Sequence, residues 1–217
     1  MPTPTPPSDD PDLRARAGKA IRDIGHALIG HHAPDALLAD VADSLEQLTA
    51  RLELGGERRR DPQAFQSDRD DWAIQPGQVV LTSNDDRPVS GRSSPWGLDP
   101  DVRRVGDEIE ATVTLRSAHE GAPARSHGGI VAALLDDVYG FVLALHQTPG
   151  FTGELTIRYV APTPLHVPLV CRVRLASREG RKLFMTGELV APDGTVCVRS
   201  KATFISVDPS VNWGEGV

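Results

Sequence analysis

The sequence predicts an α+β protein in which an antiparallel sheet wraps around one long central helix, with a helical hairpin ahead of it. Three observations predict this. A long apolar run follows the glycine pair Gly128-Gly129 and continues to about His146, the length of a buried helix. Ahead of it, Ile109, Ala111, Val113 and Leu115 alternate with polar and charged residues, as in a half-buried strand. Behind it come four strand-like segments, around 153–160, 169–177, 183–190 and 196–207. Glu179-Gly180 and Asp193-Gly194 separate the last three as tight-turn signals, which makes them an antiparallel meander.

The N-terminal half divides by composition. Residues 1–11 are rich in Pro, Thr, Ser and Asp and are expected to be a disordered tail. Residues 12–56 form the expected hairpin. Leu13, Ala17, Ile21, Ile24 and Leu28 recur at helical spacing, Gly30-His31-His32-Ala33 interrupts them, and Pro34 suits the first turn of a second helix. Leu38, Val41, Leu45, Leu48 and Leu52 then make a second stripe, which Gly55-Gly56 ends. Both stripes need burial, against the main domain or another subunit. Residues 57–100 read as a loop-rich linker with Gln78-Val79-Val80-Leu81 as a short extended piece. The main domain is expected over 101–208 and a short tail over 209–217.

Bulk properties narrow the function. A chain of 217 residues can bury a substantial core. A net charge of −7 without a clustered basic stripe argues against a nucleic-acid partner. No membrane span is expected, and the proline- and acid-rich start does not read as a signal peptide. Cys171 and Cys197 fall in strand-like segments, as reduced core thiols of a cytoplasmic protein would.

The chemistry concentrates at Arg125-Ser126-His127-Gly128-Gly129 and the helix that follows. Glycines let a backbone approach a ligand closely, and the free N–H groups and positive dipole end of a helix hold a developing oxyanion. Asp136 lies deep in the apolar run between Leu135 and Asp137, where a carboxylate needs a partner or a task. Asp137 points about 100° away around the helix and is expected to be a surface or interface acid, while standing as the chief rival to Asp136. Eight residues separate Gly128 from Asp136, about 12 Å of helix, so one carboxylate cannot serve the oxyanion site at its own helix start. The site must be shared, with Asp136 of one subunit facing the His127-Gly128 turn of another.

This run resembles the HGG-then-Asp signature of the PaaI-type hotdog thioesterases of the 4HBT-like superfamily. Thr152 sits where the related carboxyl-terminal modulator protein type of acyl-CoA thioesterase carries a catalytic threonine. Leu155-Thr156-Ile157-Arg158-Tyr159, the turn Pro162-Thr163-Pro164-Leu165 and the hairpin Glu179-Gly180-Arg181-Lys182 also match that pattern. Arg158 departs from it, because those enzymes have a small amide residue there. The resemblance runs from about Pro88 to Val207 and implies the hotdog fold, a homodimer or dimer of dimers, and hydrolysis of an acyl-CoA or acyl carrier protein thioester. It implies no cofactor beyond the CoA of the substrate. Carried onto this chain, Asp136 is the general base or nucleophile and the Gly128 amide the oxyanion donor. His127 positions the thioester or stabilises the turn, and Thr152 holds the attacking water.

Gly129 beside the thioester, Trp96 in the loop ahead of the first strand, and Arg181 and Lys182 toward CoA phosphates are the candidate substrate contacts. His26, His31 and His32 lack a metal-ligand pattern, so no metal is expected. Ser126 lacks the flanking glycines of a nucleophile elbow. A non-hydrolytic hotdog protein that binds, cyclises or eliminates an acyl or polyketide-like ligand is the alternative, and a regulatory protein acting through its helical hairpin is a third.

Overall fold

The computed structural model describes residues 10–58 and 85–208. The extended piece expected at 78–81, most of the linker, residues 1–9 and the C-terminal tail lie outside those residues; Asp10 and Pro11, expected in the N-terminal tail, cap and begin α1. In chain order the elements are α1 (Pro11–Gly30), α2 (Asp35–Glu53), β1 (Asp101–Val105), β2 (Glu108–Thr114), a 3-10 turn (Ser117–His119), α3 (Gly128–Leu145), β3 (Gly150–Tyr159), β4 (Pro168–Glu179), β5 (Lys182–Val190) and β6 (Val196–Ser206). The strands form one antiparallel sheet in the order β1-β2-β4-β5-β6-β3. Among the described residues β3 is an edge strand, ten residues long.

The sheet curls around α3, and this is the hotdog arrangement. Val131, Leu134, Leu135, Val138, Tyr139, Phe141, Val142 and Leu143 of α3 are all buried. They meet the inward residues of the strands, such as Ile109, Ala111, Cys171, Val173, Leu189 and Val198. Each large aliphatic side chain so buried stabilises the fold by roughly 1.5–3 kcal/mol. From the sequence no apolar stretch is expected to approach transmembrane length, yet α3 is long and apolar enough to cross a membrane by length and composition alone; its apolarity is that of a core helix enclosed by a sheet. Tyr139 adds a buried polar contact, its hydroxyl lying 2.7 Å from Ser200 Oγ. Gly180 and Gly194 take positive φ at the two meander turns.

The strand count and the docking of the hairpin differ from expectation. Among the described residues there are six strands, not five: β1 pairs with β2 through a turn at Gly106, whose φ is +61°. Only Val102 of β1 is buried, so its charged, five-residue sequence carries little apolar alternation. The second departure is the helical hairpin. Both helices form, but their apolar stripes are not buried within the chain. Leu13, Ile21 and Leu28 are exposed, and α2 has no buried residue. The face of α1 that docks is polar: Gly18, Arg22 and His26. Arg22 donates to the carbonyls of Arg92 and Ser94 at 2.9 and 2.5 Å, and Gly18 lies so close to the Ser93 carbonyl that no Cβ would fit. Periodicity reports which side chains are apolar, and here hydrogen bonding and close backbone approach chose the buried face instead.

His26 and the 3-10 turn tie α1 to the segment that leads into α3. The His26 and His119 rings meet edge-on at 4.5 Å. Ala118 N–H donates to His26 Nδ1 and Arg116 N–H donates to His119 Nδ1, both at 3.0 Å. Arg116, Arg22, Asp23 and His166 surround the pair. Burial pushes the His119 imidazole down to about 4, and burial with Arg116 nearby also lowers His26. As pH falls below the ordinary value of 6.5, the unfolded chain therefore takes up protons that these folded rings refuse. Stability is expected to be full above that value and to fall progressively toward pH 4. Thermal melts across this window test it, and His119→Gln should flatten the decline; an equally steep fall in that variant would assign the loss elsewhere.

Candidate active site

The turn 125–129 is held from both sides before α3 begins. Ser126 N–H donates to the Thr163 carbonyl at 2.9 Å and His127 N–H to the His119 carbonyl at 2.8 Å. His127 is the N-cap of α3: its Nδ1 accepts from Gly129 N–H at 3.0 Å. Accepting there places the proton of the neutral ring on Nε2, so this imidazole is a turn stabiliser with one outward donor and no free basic nitrogen at Nδ1. The N–H groups of Ile130 and Val131 return to the His127 carbonyl. Gly128 N–H has no acceptor among the described residues, which leaves it as the donor this helix start offers.

Tyr159, at the end of β3, donates its hydroxyl to the Gly128 carbonyl at 2.7 Å. An open pocket of about 370 Å³ lies here, with Arg125, Gly128, Val131, Tyr159 and Thr163 among its walls. Tyr159 closes the Leu155–Tyr159 run of the sequence, and nothing local there marks it as part of the site. Its contact with Gly128 spans 31 residues, and no local pattern reports such a contact.

The two neighbouring acids of α3 separate cleanly. Asp136 is half-buried, and its Oδ1 accepts the Thr152 hydroxyl at 2.9 Å from the start of β3. A bulge between Thr152 and Glu154 re-phases the strand, so that Thr152 and, further on, Leu155 and Ile157 all face the helix. Asp137 is not a surface acid. Its side chain is 10% exposed and pairs with Arg87 Nη2 at 2.8 Å, while Arg87 also bonds the Asp137 carbonyl and stacks over Phe141 at 4.5 Å. That clasp fastens the 85–100 segment to α3.

The remaining candidates lie elsewhere. Gly129 uses its N–H in the cap, and the His127 ring would crowd any side chain placed there. Trp96 is 84% exposed, outside the pocket at the glycine turn, so it neither caps the core nor lines that pocket in the single chain. Arg181 Nε donates to the Ser206 carbonyl at 3.0 Å, and Lys182 pairs in register with Ile205. Both stand where β6 ends beside the start of β3, at the Asp136 end of the sheet and not at the glycine turn.

Fold and site together define a hotdog domain with a helix-start amide donor and a mid-helix carboxylate. Residues 126–198 match the family described as the thioesterase superfamily. The acyl-coenzyme A thioesterase THEM4 of Mus musculus is 34% identical over 91 residues, 42% of this chain and 39% of that protein. THEM5 of Mus musculus, also an acyl-coenzyme A thioesterase, is 32% identical over 89 residues, 41% of this chain and 36% of its own. The chain thus matches less than half the length of these curated relatives. Along nearly its whole length it resembles the crystal structure of RHA08564, a thioesterase superfamily protein, at 28% identity, with a TM-score of 0.73 and 93% of each chain covered.

Proposed function

We propose that this protein is an acyl-CoA thioesterase whose active site is completed by a second copy of the chain. One observation carries the reading: two hydrogen bonds tie the start and the middle of α3 to opposite ends of the edge strand. Asp136 is held at Thr152 and Gly128 at Tyr159. A ten-residue edge strand with unpaired backbone groups is a template for pairing with another strand. Antiparallel pairing of β3 with its copy about Thr156, counted past the bulge at Gly153, sets Thr152 opposite the other copy's Tyr159. Asp136 of each chain then faces the Gly128 turn of the other. The exposed Phe151, Tyr159 and Val160 are covered in the same step.

In that site the thioester carbonyl accepts from the Gly128 N–H as its oxygen gains charge. Thr152 donates to Asp136 and keeps its oxygen lone pairs for a water, which the Asp136 carboxylate deprotonates as it attacks. Collapse of the tetrahedral intermediate breaks the C–S bond. The thiolate takes the proton from Asp136, and the products are the free acid and the thiol. The acyl-CoA named for the curated relatives supports CoA as the carrier, and an acyl carrier protein thioester presents the same bond.

Mixed assemblies test the shared site. Asp136→Asn and Gly128→Val chains, each inactive alone, are refolded or co-expressed together. If Asp136 serves the turn of the other copy, each mixed dimer regains one intact site, and statistical mixing returns about a quarter of wild-type thiol release. Mixtures as inactive as either variant would place both groups within one chain. A wild-type protein that releases no thiol from any acyl-CoA would overturn the thioesterase reading itself.

A further inference from the structure

The face of the sheet turned away from α3 carries a groove of about 650 Å³ that the proposed thioester site does not use. Cross-strand register builds it. One row runs Arg172, Glu188, Arg199, Arg158 across β4, β5, β6 and β3; the next runs Arg174, Thr186, Lys201, Thr156. Three strand spacings make the groove about 14 Å wide. The inward neighbours on these strands, among them Val173, Leu189, Val198 and Ser200, are buried, so these rows point outward.

The charges in the groove neutralise one another only at its β2 side, where Arg172 pairs with Glu110 and Arg174 with Glu108. Within one chain Arg158, Arg199 and Lys201 have no ion pair or hydrogen bond among the described residues; the carboxylates in their register are Glu188 opposite Arg199 and, in the pairing proposed above, Glu154 of the copy opposite Arg158. Arg158 and Arg199 are direct cross-strand partners. Like charges directly opposite one another destabilise a sheet unless a counter-ion stands between them. The Thr186 hydroxyl beside Lys201 adds a neutral donor, while the Thr156 hydroxyl on its other side donates to Glu154 at 3.3 Å. A chain of net charge −7 has thus collected unpaired cations on one outward patch.

We propose that this groove binds a small anion carrying two or more phosphate groups, seated over Arg158, Arg199 and Lys201. The guanidinium planes offer paired donors to phosphate oxygens, and the ammonium supplies a point charge beside them. Inorganic pyrophosphate and a nucleoside bisphosphate share that chemistry and serve as the two probes. The full-length protein is titrated with sodium pyrophosphate and with adenosine 3′,5′-bisphosphate at constant ionic strength, by calorimetry and by thermal melting. Both are expected to bind with saturable heat and to raise Tm; tighter binding of the nucleotide would add a contact from its base or sugar.

Arg158→Gln and Arg199→Gln should each weaken binding by ~10-fold or more, the loss of a charge-assisted contact. Without anion the same variants should melt at or above the wild-type temperature, because the repulsion across β3 and β6 is relieved. A wild-type protein that responds to both probes only as it responds to sodium chloride, or variants that bind them undiminished, would overturn the proposal.

Discussion

Asp136→Asn is expected to reduce acyl-CoA hydrolysis by ~10²–10⁴-fold while leaving the melting temperature close to that of the parent. Asparagine keeps the shape and still accepts the Thr152 hydroxyl, but its amide cannot take a proton from water. Asp136 is half-buried and linked to one neutral group, so little of the fold depends on its charge. Asp137→Asn is the matched control and should behave the other way. It leaves Arg87 without its carboxylate at a position only 10% exposed on the acid side, where removing one member of a pair costs about 1–3 kcal/mol. Thiol release measured beside thermal melts distinguishes the two. Full activity in Asp136→Asn would remove that carboxylate from the chemistry, and loss of turnover in Asp137→Asn at unchanged stability would put the neighbour in its place.

The second large effect is expected in the core. A Cβ built on Gly187 of β5 lies 2.7 Å from Val173 Cγ1 and 2.8 Å from the Tyr139 hydroxyl, both fully packed side chains. Gly187→Ala should therefore cost about 1–3 kcal/mol, seen as a lower melting temperature, because both neighbours are buried and close-packed. Part of that loss comes from the hydroxyl. Tyr139→Phe removes it and costs the 2.7 Å contact with Ser200, but Ser200 keeps its bond to the Gly187 carbonyl. The double variant should then be more stable than the sum of the single losses predicts, a coupling that only touching residues show. Strict additivity would mean that the methyl is accommodated on the Val173 side alone.

Sequence by itself carried the elements whose signal is local. The apolar run of α3, the alternation in β2 and the turn glycines at 180 and 194 each report their own structure, because helix and strand periods and positive φ are properties of neighbouring residues. The glycine turn and its following helix were legible for the same reason, and resemblance directed attention to Asp136 over Asp137. Tertiary structure decided what depends on partners distant in the chain. Arg87 claims Asp137 from fifty residues away, and Tyr159 reaches the Gly128 carbonyl from the far end of β3. α1 docks through Arg22 and His26 instead of its leucines, because carbonyls and rings on the domain satisfy those groups there. Arg158 and Arg199 become a like-charged pair only through strand register. A linear sequence records which side chains are apolar or charged; which ones meet is set by the packing that brings distant segments within hydrogen-bond reach.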